Sequence, residues 1–275
     1  MSEILCSTGT LIGRPNGRDY RLLEGFSRQL SCDGFEFMMY DSWYAQEAEL
    51  VTFLKGLELY IPVVHCEKRI GENISKGAEW EVTLDKFRSN CRIARELGAD
   101  KLVMHLWDGI TSDGYFENNI RTYPVLQETA AQYGLKLLVE NVVCNHRSPM
   151  QRWKELAALF PGIGLIFDTK MAAFHQELEA FYEEENRWLM AHGNVQHFHV
   201  NDYAGGYKDW SNLRTLPVGK GHVDFDRFFS YIKACGYDGT FTVESTAFDA
   251  QGQVDTEMLN AQFAYIRKQM EDIAE

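Results

Sequence analysis

Four short stretches of this sequence run through apolar residues and stop on a group able to bind a metal or move a proton. Leu137-Leu138-Val139-Glu140-Asn141 stops on a carboxylate, as do Gly164-Leu165-Ile166-Phe167-Asp168-Thr169 and Thr240-Phe241-Thr242-Val243-Glu244-Ser245. The fourth, Val195-Gln196-His197-Phe198-His199-Val200-Asn201-Asp202, alternates so that Val195, His197, His199 and Asn201 share one strand face. Buried imidazoles and amides need hydrogen-bond partners, so that face marks a polar centre. A single strand-end acid would more often cap a helix or pair with a cation. Glu140, Asp168, His199 and Glu244 on four successive strands instead suit one divalent ion, such as Mn²⁺, Mg²⁺, Co²⁺ or Zn²⁺. His197, one layer below His199, reads as a buried, hydrogen-bonded residue rather than a ligand. His65 and His105 end two further strands and read as substrate contacts. Glu36 reads as a structural ion-pair partner.

The elements that must position these groups follow from periodicity. Strands are expected at Ile4–Ser7, Gly34–Met39, Tyr60–His65, Lys101–His105, and then in the four stretches above. Helices are expected over Tyr20–Leu30, Trp43–Leu57, Glu79–Leu97, Asn118–Tyr133 (with Pro124 as a kink), Pro149–Leu159, His175–His192, Asp224–Cys235 and Asp255–Ile273. A long loop covers 202–221. Glu183-Glu184-Glu185 reads as a solvated face. Eight strand–helix units argue for an α/β fold, a (β/α)8 TIM barrel forming a single domain over residues 1–275. An open doubly wound sheet is the runner-up, weakened by the lack of a GxGxxG after the first strand. In such barrels the active site lies at the C-terminal strand ends, where the candidate groups fall.

Composition narrows the partners. The net charge is −13 with a pI near 5.1, which argues against a non-specific nucleic-acid surface needing Lys and Arg to displace counterions. Six scattered cysteines without a CxxC fit free thiols in a reducing, cytoplasmic setting. The start lacks the basic, long apolar pattern of a signal peptide, and no apolar run approaches the ~20 residues of a membrane span. Assembly into a homo-oligomer is left open. Among loop cations, Lys170 and Arg214 are kept as candidate anion contacts, with Lys68, Arg69 and Lys220 behind them. Gly219-Lys220-Gly221 lacks a full phosphate-loop pattern and reads as a tight turn.

The chain resembles the sugar phosphate isomerase/epimerase superfamily, the xylose-isomerase-like barrels. The resemblance rests on Glu140-Asn141, Phe167-Asp168-Thr169, His197 to Asp202, Pro217 to Gly221, Gly236-Tyr237-Asp238-Gly239 and Val243-Glu244, and it spans nearly the whole chain. It implies a sugar substrate and one divalent ion, Mn²⁺ foremost, held by Glu140, Asp168, His199 and Glu244. It also implies that Glu140 and Glu244 act as acid and base through an enediolate. Trp107 and Trp43 are then candidates for stacking on a sugar, with core filling as the competing reading; Trp107 is kept with the substrate contacts. Many members carry His three residues after the strand-six Asp, where this chain has Met171, and His175 lies one turn further. The Asp-x-His of endonuclease IV-like members is missing from Asn212 to Pro217, which argues against DNA repair. The alternative on the same site is a lyase or dehydratase acting on a keto-sugar or keto-inositol, including sugar–aglycone cleavage. A non-catalytic sugar-binding barrel is the third reading.

Overall fold

Short, largely apolar runs of aliphatic and aromatic residues make the strands. In a computed structural model describing residues 2–271, these are β1 Glu3–Ser7, β2 Gly34–Met38, β3 Val63–His65, β4 Lys101–Met104, β5 Lys136–Glu140, β6 Gly164–Asp168, β7 Val195–Val200 and β8 Thr240–Val243. Their order is a closed barrel, β1 through β8, so the chain is a (β/α)8 TIM barrel. The helices are α1 Leu23–Ser27, α2 Glu47–Gly56, α3 Arg69–Lys76, α4 Trp80–Glu96, α5 Phe116–Gln132, α6 Pro149–Leu159, α7 Thr169–Phe174, α8 Leu178–Tyr182, α9 Trp188–Ala191, α10 Phe225–Ala234 and α11 Thr256–Glu271. Among the described residues no helix is long and apolar enough to cross a membrane.

Chain contacts define two compact units. The first comprises residues 1–35 and 167–275. Here β8 pairs in parallel with β1 and with β7, and His199 lies opposite Thr242. Its core is aromatic: Phe167 stacks on Phe181 at 4.2 Å and Phe198 on Phe241 at 5.4 Å. Such ring pairs are worth about 0.5–1.5 kcal/mol beyond the area they bury.

The second unit, residues 36–166, carries the ladder from β2 to β6, with Glu140 opposite Ile166. It is fastened by Asp113, which is buried and accepts the backbone N–H groups of Asn145, His146 and Arg147 at 2.8–2.9 Å. Arg152 adds two further bonds to the same carboxylate. Burial opposes the charge on Asp113, but these donors outweigh it and hold the carboxyl down at about 2. Asp113→Ala would leave three N–H groups and a guanidinium without their acceptor. The expected result is a loss of about 3–5 kcal/mol in urea unfolding, the range for breaking a buried ion pair. A change below 1 kcal/mol would show that these loops hold themselves.

Several helices differ from the periodicity. The segment expected as one helix over Tyr20–Leu30 is a 3₁₀ turn, Tyr20–Leu22, followed by the five-residue α1, with Gly25 weakening its centre. The helix expected over His175–His192 is instead α8, a 3₁₀ turn and α9, and α7 precedes it where no helix was expected. Asp168 caps α7 directly at the strand end, and Gln176 takes a left-handed φ of 53°, which stops it. α3 was not expected; its Ile70 and Ile74 share one face and Gly77 ends it at a φ of 64°. α5 runs through Pro124. The expected strand from Tyr60 begins only at Val63, after Pro62. α11 ends at Glu271, and the expected end at Ile273 lies outside the described residues.

Candidate functional site

In the first unit the alternation of β7 and the end of β6 bring three donors together. His199 and Asp168 are fully buried and Glu244 lies just past β8. His199 Nδ1 is 3.3 Å from Glu244 Oε2 and 3.9 Å from Asp168 Oδ2. Ligand atoms placed about 2.0–2.2 Å from one ion sit roughly 3–4 Å apart, so the two carboxylates and the imidazole fit a divalent cation. Asp168 is also a helix cap: its Oδ1 accepts the N–H of Met171 at 2.8 Å. Its Oδ2 accepts the Asn201 side-chain amide at 3.0 Å. Thr169 Oγ1 donates to the Asn201 carbonyl at 2.6 Å and accepts the Asn201 N–H at 3.1 Å. Asn201 therefore fixes the carboxylate that faces His199, as outer-shell partners of metal ligands do.

In the second unit Glu140 ends β5, 1% exposed, and two histidines converge on it. His65 Nε2 is 3.3 Å and His105 Nε2 is 2.9 Å from Glu140 Oε2. The opposite ring nitrogens are engaged too: His65 Nδ1 lies 2.7 Å from the Cys66 carbonyl, and His105 Nδ1 lies 2.9 Å from Asp108 Oδ2. A carbonyl and a carboxylate only accept, so Nδ1 is the donor in both rings and Nε2 faces Glu140. His65, His105 and Glu140 form a group that could hold a metal ion by themselves.

Burial opposes a charge on His105, but Glu140 and Asp108 on its two sides outweigh it and push the imidazole up to about 9. The same contact outweighs the effect of burial on Asp108 and holds its carboxyl below the usual range. The His105 shift, from 6.5 to about 9, corresponds to about 3 kcal/mol favouring the protonated ring. Because the folded-state value lies above the unfolded one, that stability is fully present below about pH 6.5 and is lost as pH rises through 9. In metal-free protein the His105 ring resonances are expected to titrate near 9, and lower in Asp108→Asn. A midpoint at 6.5 in both proteins would break the proposed link to Asp108.

The other candidates separate. Trp107 is fully buried, donates from its indole N–H to the Val142 carbonyl at 3.2 Å and meets Phe116 edge-on at 5.5 Å. Its ring packs in the core, the competing reading for this residue. Trp43 likewise packs on Phe37 and Tyr40. Arg214 is exposed. Lys170 is buried and its Nζ donates to Thr215 Oγ1 at 3.0 Å. His175 lies at the end of α7 against Phe174 and Tyr207, and no group of potential ligands among the described residues includes it. His197 has both ring nitrogens on threonine hydroxyls, Thr240 at 2.5 Å and Thr242 at 2.9 Å. Gly219 and Gly221 give their N–H groups to Asp202 Oδ2 at 3.0 and 2.8 Å. Those amides are therefore committed to the turn. Glu36 is fully buried in the middle of β2. Asp108 was not singled out in the sequence, although its spacing three residues after His105 was the available signal.

Strand-end carboxylates and histidines on a closed eight-stranded barrel define the class. The chain belongs to the xylose isomerase-like TIM barrel family, whose model matches residues 26–268. It is 26% identical over 180 residues to the uncharacterized protein MJ1311 of Methanocaldococcus jannaschii. That match covers 60% of this chain and 57% of the length of that relative. Among solved structures it is similar to a D-tagatose 3-epimerase-like protein, with a TM-score of 0.72 and 19% identity over 98% of this chain and 97% of the other. It is also similar to the 3-keto-D-glucoside 4-epimerase YcjR of E. coli, with a TM-score of 0.68 and 18% identity over 98% of this chain and 100% of the other. At these identities the likeness is one of fold.

Proposed function

We propose that this protein is a divalent-metal-dependent ketose isomerase or epimerase that moves a proton through an enediolate. The observation that carries the reading is the set of buried Asp168 and His199 with partly buried Glu244, whose carboxylate oxygens lie 3.9 and 3.3 Å from His199 Nδ1. Glu140 is the proposed fourth ligand, on register. It pairs with Ile166, two residues before Asp168, and His199 pairs with Thr242, two residues before Glu244. All four thus fall at or just past the C-terminal ends of strands consecutive in the barrel order. The fold likeness to two proteins named as sugar epimerases or epimerase-like supports the same reading.

A bound ion, Mn²⁺ being the proposed one, would supply Lewis-acid stabilisation of negative charge on substrate oxygens. The proton chemistry belongs to the chain. One of Glu140 and Glu244 takes the proton from the carbon beside the carbonyl, and the other returns one. Asp168 and His199 would hold the ion, and Asn201 holds Asp168. His105, tied to Asp108, fixes the Glu140 carboxylate and with His65 offers contacts to substrate hydroxyls.

The test is turnover of a panel of ketoses, ketose phosphates and keto-inositols with Mn²⁺. Interconversion of a ketose that stops on chelation and returns with Mn²⁺ is expected. Sugar binding without any turnover would replace the enzyme by a sugar-binding barrel, and water loss from a keto-inositol would make it a dehydratase.

A further inference from the structure

Lys170 follows Asp168 by two residues, at the start of α7, and is only 8% exposed. Its backbone N–H donates to Asn201 Oδ1 at 3.0 Å, so the amide that positions Asp168 also positions Lys170. Its Nζ donates to the Thr215 hydroxyl at 3.0 Å. Among the described residues this ammonium has no carboxylate partner. The partly buried Arg152, by contrast, is paired with Asp113. An ammonium withdrawn from water is costly unless an anion meets it.

Thr215 lies where the strand ends meet. Its carbonyl accepts the N–H of Thr246 at 3.2 Å, and the carbonyl of Leu216 accepts the Ser245 hydroxyl at 3.3 Å. Leu216 is bridged to Asp202, just past β7. Lys170 thus reaches from the end of β6 to a segment held against the residues that follow Glu244. We propose that Lys170 and Thr215 form the subsite for a substrate carboxylate, so that the substrate class is a keto sugar acid. This rests on the isomerase or epimerase reading of the same barrel and gives it a substrate class. One ammonium and one hydroxyl match the single charge and two oxygens of a carboxylate. A phosphate ester carries about −1.5 to −2 charges near neutral pH and three acceptor oxygens, more than this pair answers.

Binding and turnover are measured on the full chain with Mn²⁺, using three ketohexoses that differ only at the terminal carbon. One ends in CH2OH, one in a carboxylate and one in a phosphate ester. Wild-type protein is expected to favour the carboxylate form. Lys170→Met is expected to lower the acid-to-neutral ratio of affinities and of kcat/KM by about 10- to 100-fold, the worth of a charge-assisted hydrogen bond. Thr215→Val should lower it less, Lys170→Arg should restore part of it, and the Thr215→Val ratio decides if Lys170→Met does not fold. Equal losses on neutral and acid sugars would overturn the subsite, leaving Lys170 as a balance for the carboxylate cluster. Preference for the phosphate ester would overturn it as well. Lys170-dependent binding of the acid without turnover keeps the subsite and removes the isomerase reading. Turnover with no preference for the acid does the reverse. Binding of none of the three overturns both.

Discussion

Turnover of a ketose in D₂O is expected to place deuterium on the carbon next to the carbonyl. A carboxylate that takes a proton can exchange it with water before the return step. A hydride shift between carbons would leave that position unlabelled. Glu140→Gln and Glu244→Gln should each lower kcat by about 10²–10⁴-fold, the usual worth of a general acid or base. The two are not equivalent in surroundings. Glu140 is 1% exposed and faces two imidazoles, whereas Glu244 is more open and meets Ser7 Oγ at 3.5 Å and His199 Nδ1 at 3.3 Å. Turning Glu140 into an amide puts an uncharged group against His105, whose protonated form Glu140 favours. The Glu140→Gln protein should therefore lose the high His105 titration as well as turnover. Fully active product free of deuterium would remove the freely exchanging enediolate route. Retained activity in either variant would remove that residue as an acid or base.

The strand-end groups were readable because an acid that closes an apolar run has no packing reason to be there. Glu140, Asp168 and His65 do end their strands, and His199 sits one residue before the end of β7. His197 was readable for the complementary reason, a face of β7 that must find hydroxyls, which Thr240 and Thr242 supply. The surroundings of Trp107 were not, because an aromatic residue after a strand has the same local pattern whether it faces a ligand or the core. Its Val142 and Phe116 contacts lie 35 and nine residues away in the chain. The break at Gln176 was hidden because a left-handed φ at a residue other than glycine leaves no signature in composition. The turn at Gly219–Gly221 was legible as a turn, but its anchor on Asp202 depends on contacts 17 and 19 residues apart. The networks through Asn201 and Asp108 beside the candidate ligands, and through Asp113 in the loops of the second unit, use ordinary polar residues whose partners only the fold selects.

Metal content should separate the residues that hold an ion from those that only surround it. Purified protein titrated with Mn²⁺ is expected to bind one ion per chain at the Glu140, Asp168, His199 and Glu244 group, and His199→Ala should lose that binding. His199 Nδ1 lies 3.9 Å from the Asp168 carboxylate and 3.3 Å from that of Glu244. Removing it would leave two carboxylates without the imidazole donor beside them. Asn201→Ala tests the layer behind. It should weaken binding by about 10- to 100-fold, because Asp168 loses the amide that orients Oδ2 while keeping its cap on Met171. Affinity should fall as pH falls, since carboxylates and imidazole bind a cation only when deprotonated. Equal metal content in wild type and His199→Ala would take His199 out of the site. If the ion then depended on His65 and His105 instead, the centre would be the second group around Glu140, and the proton chemistry assigned to Glu244 would have no ion beside it.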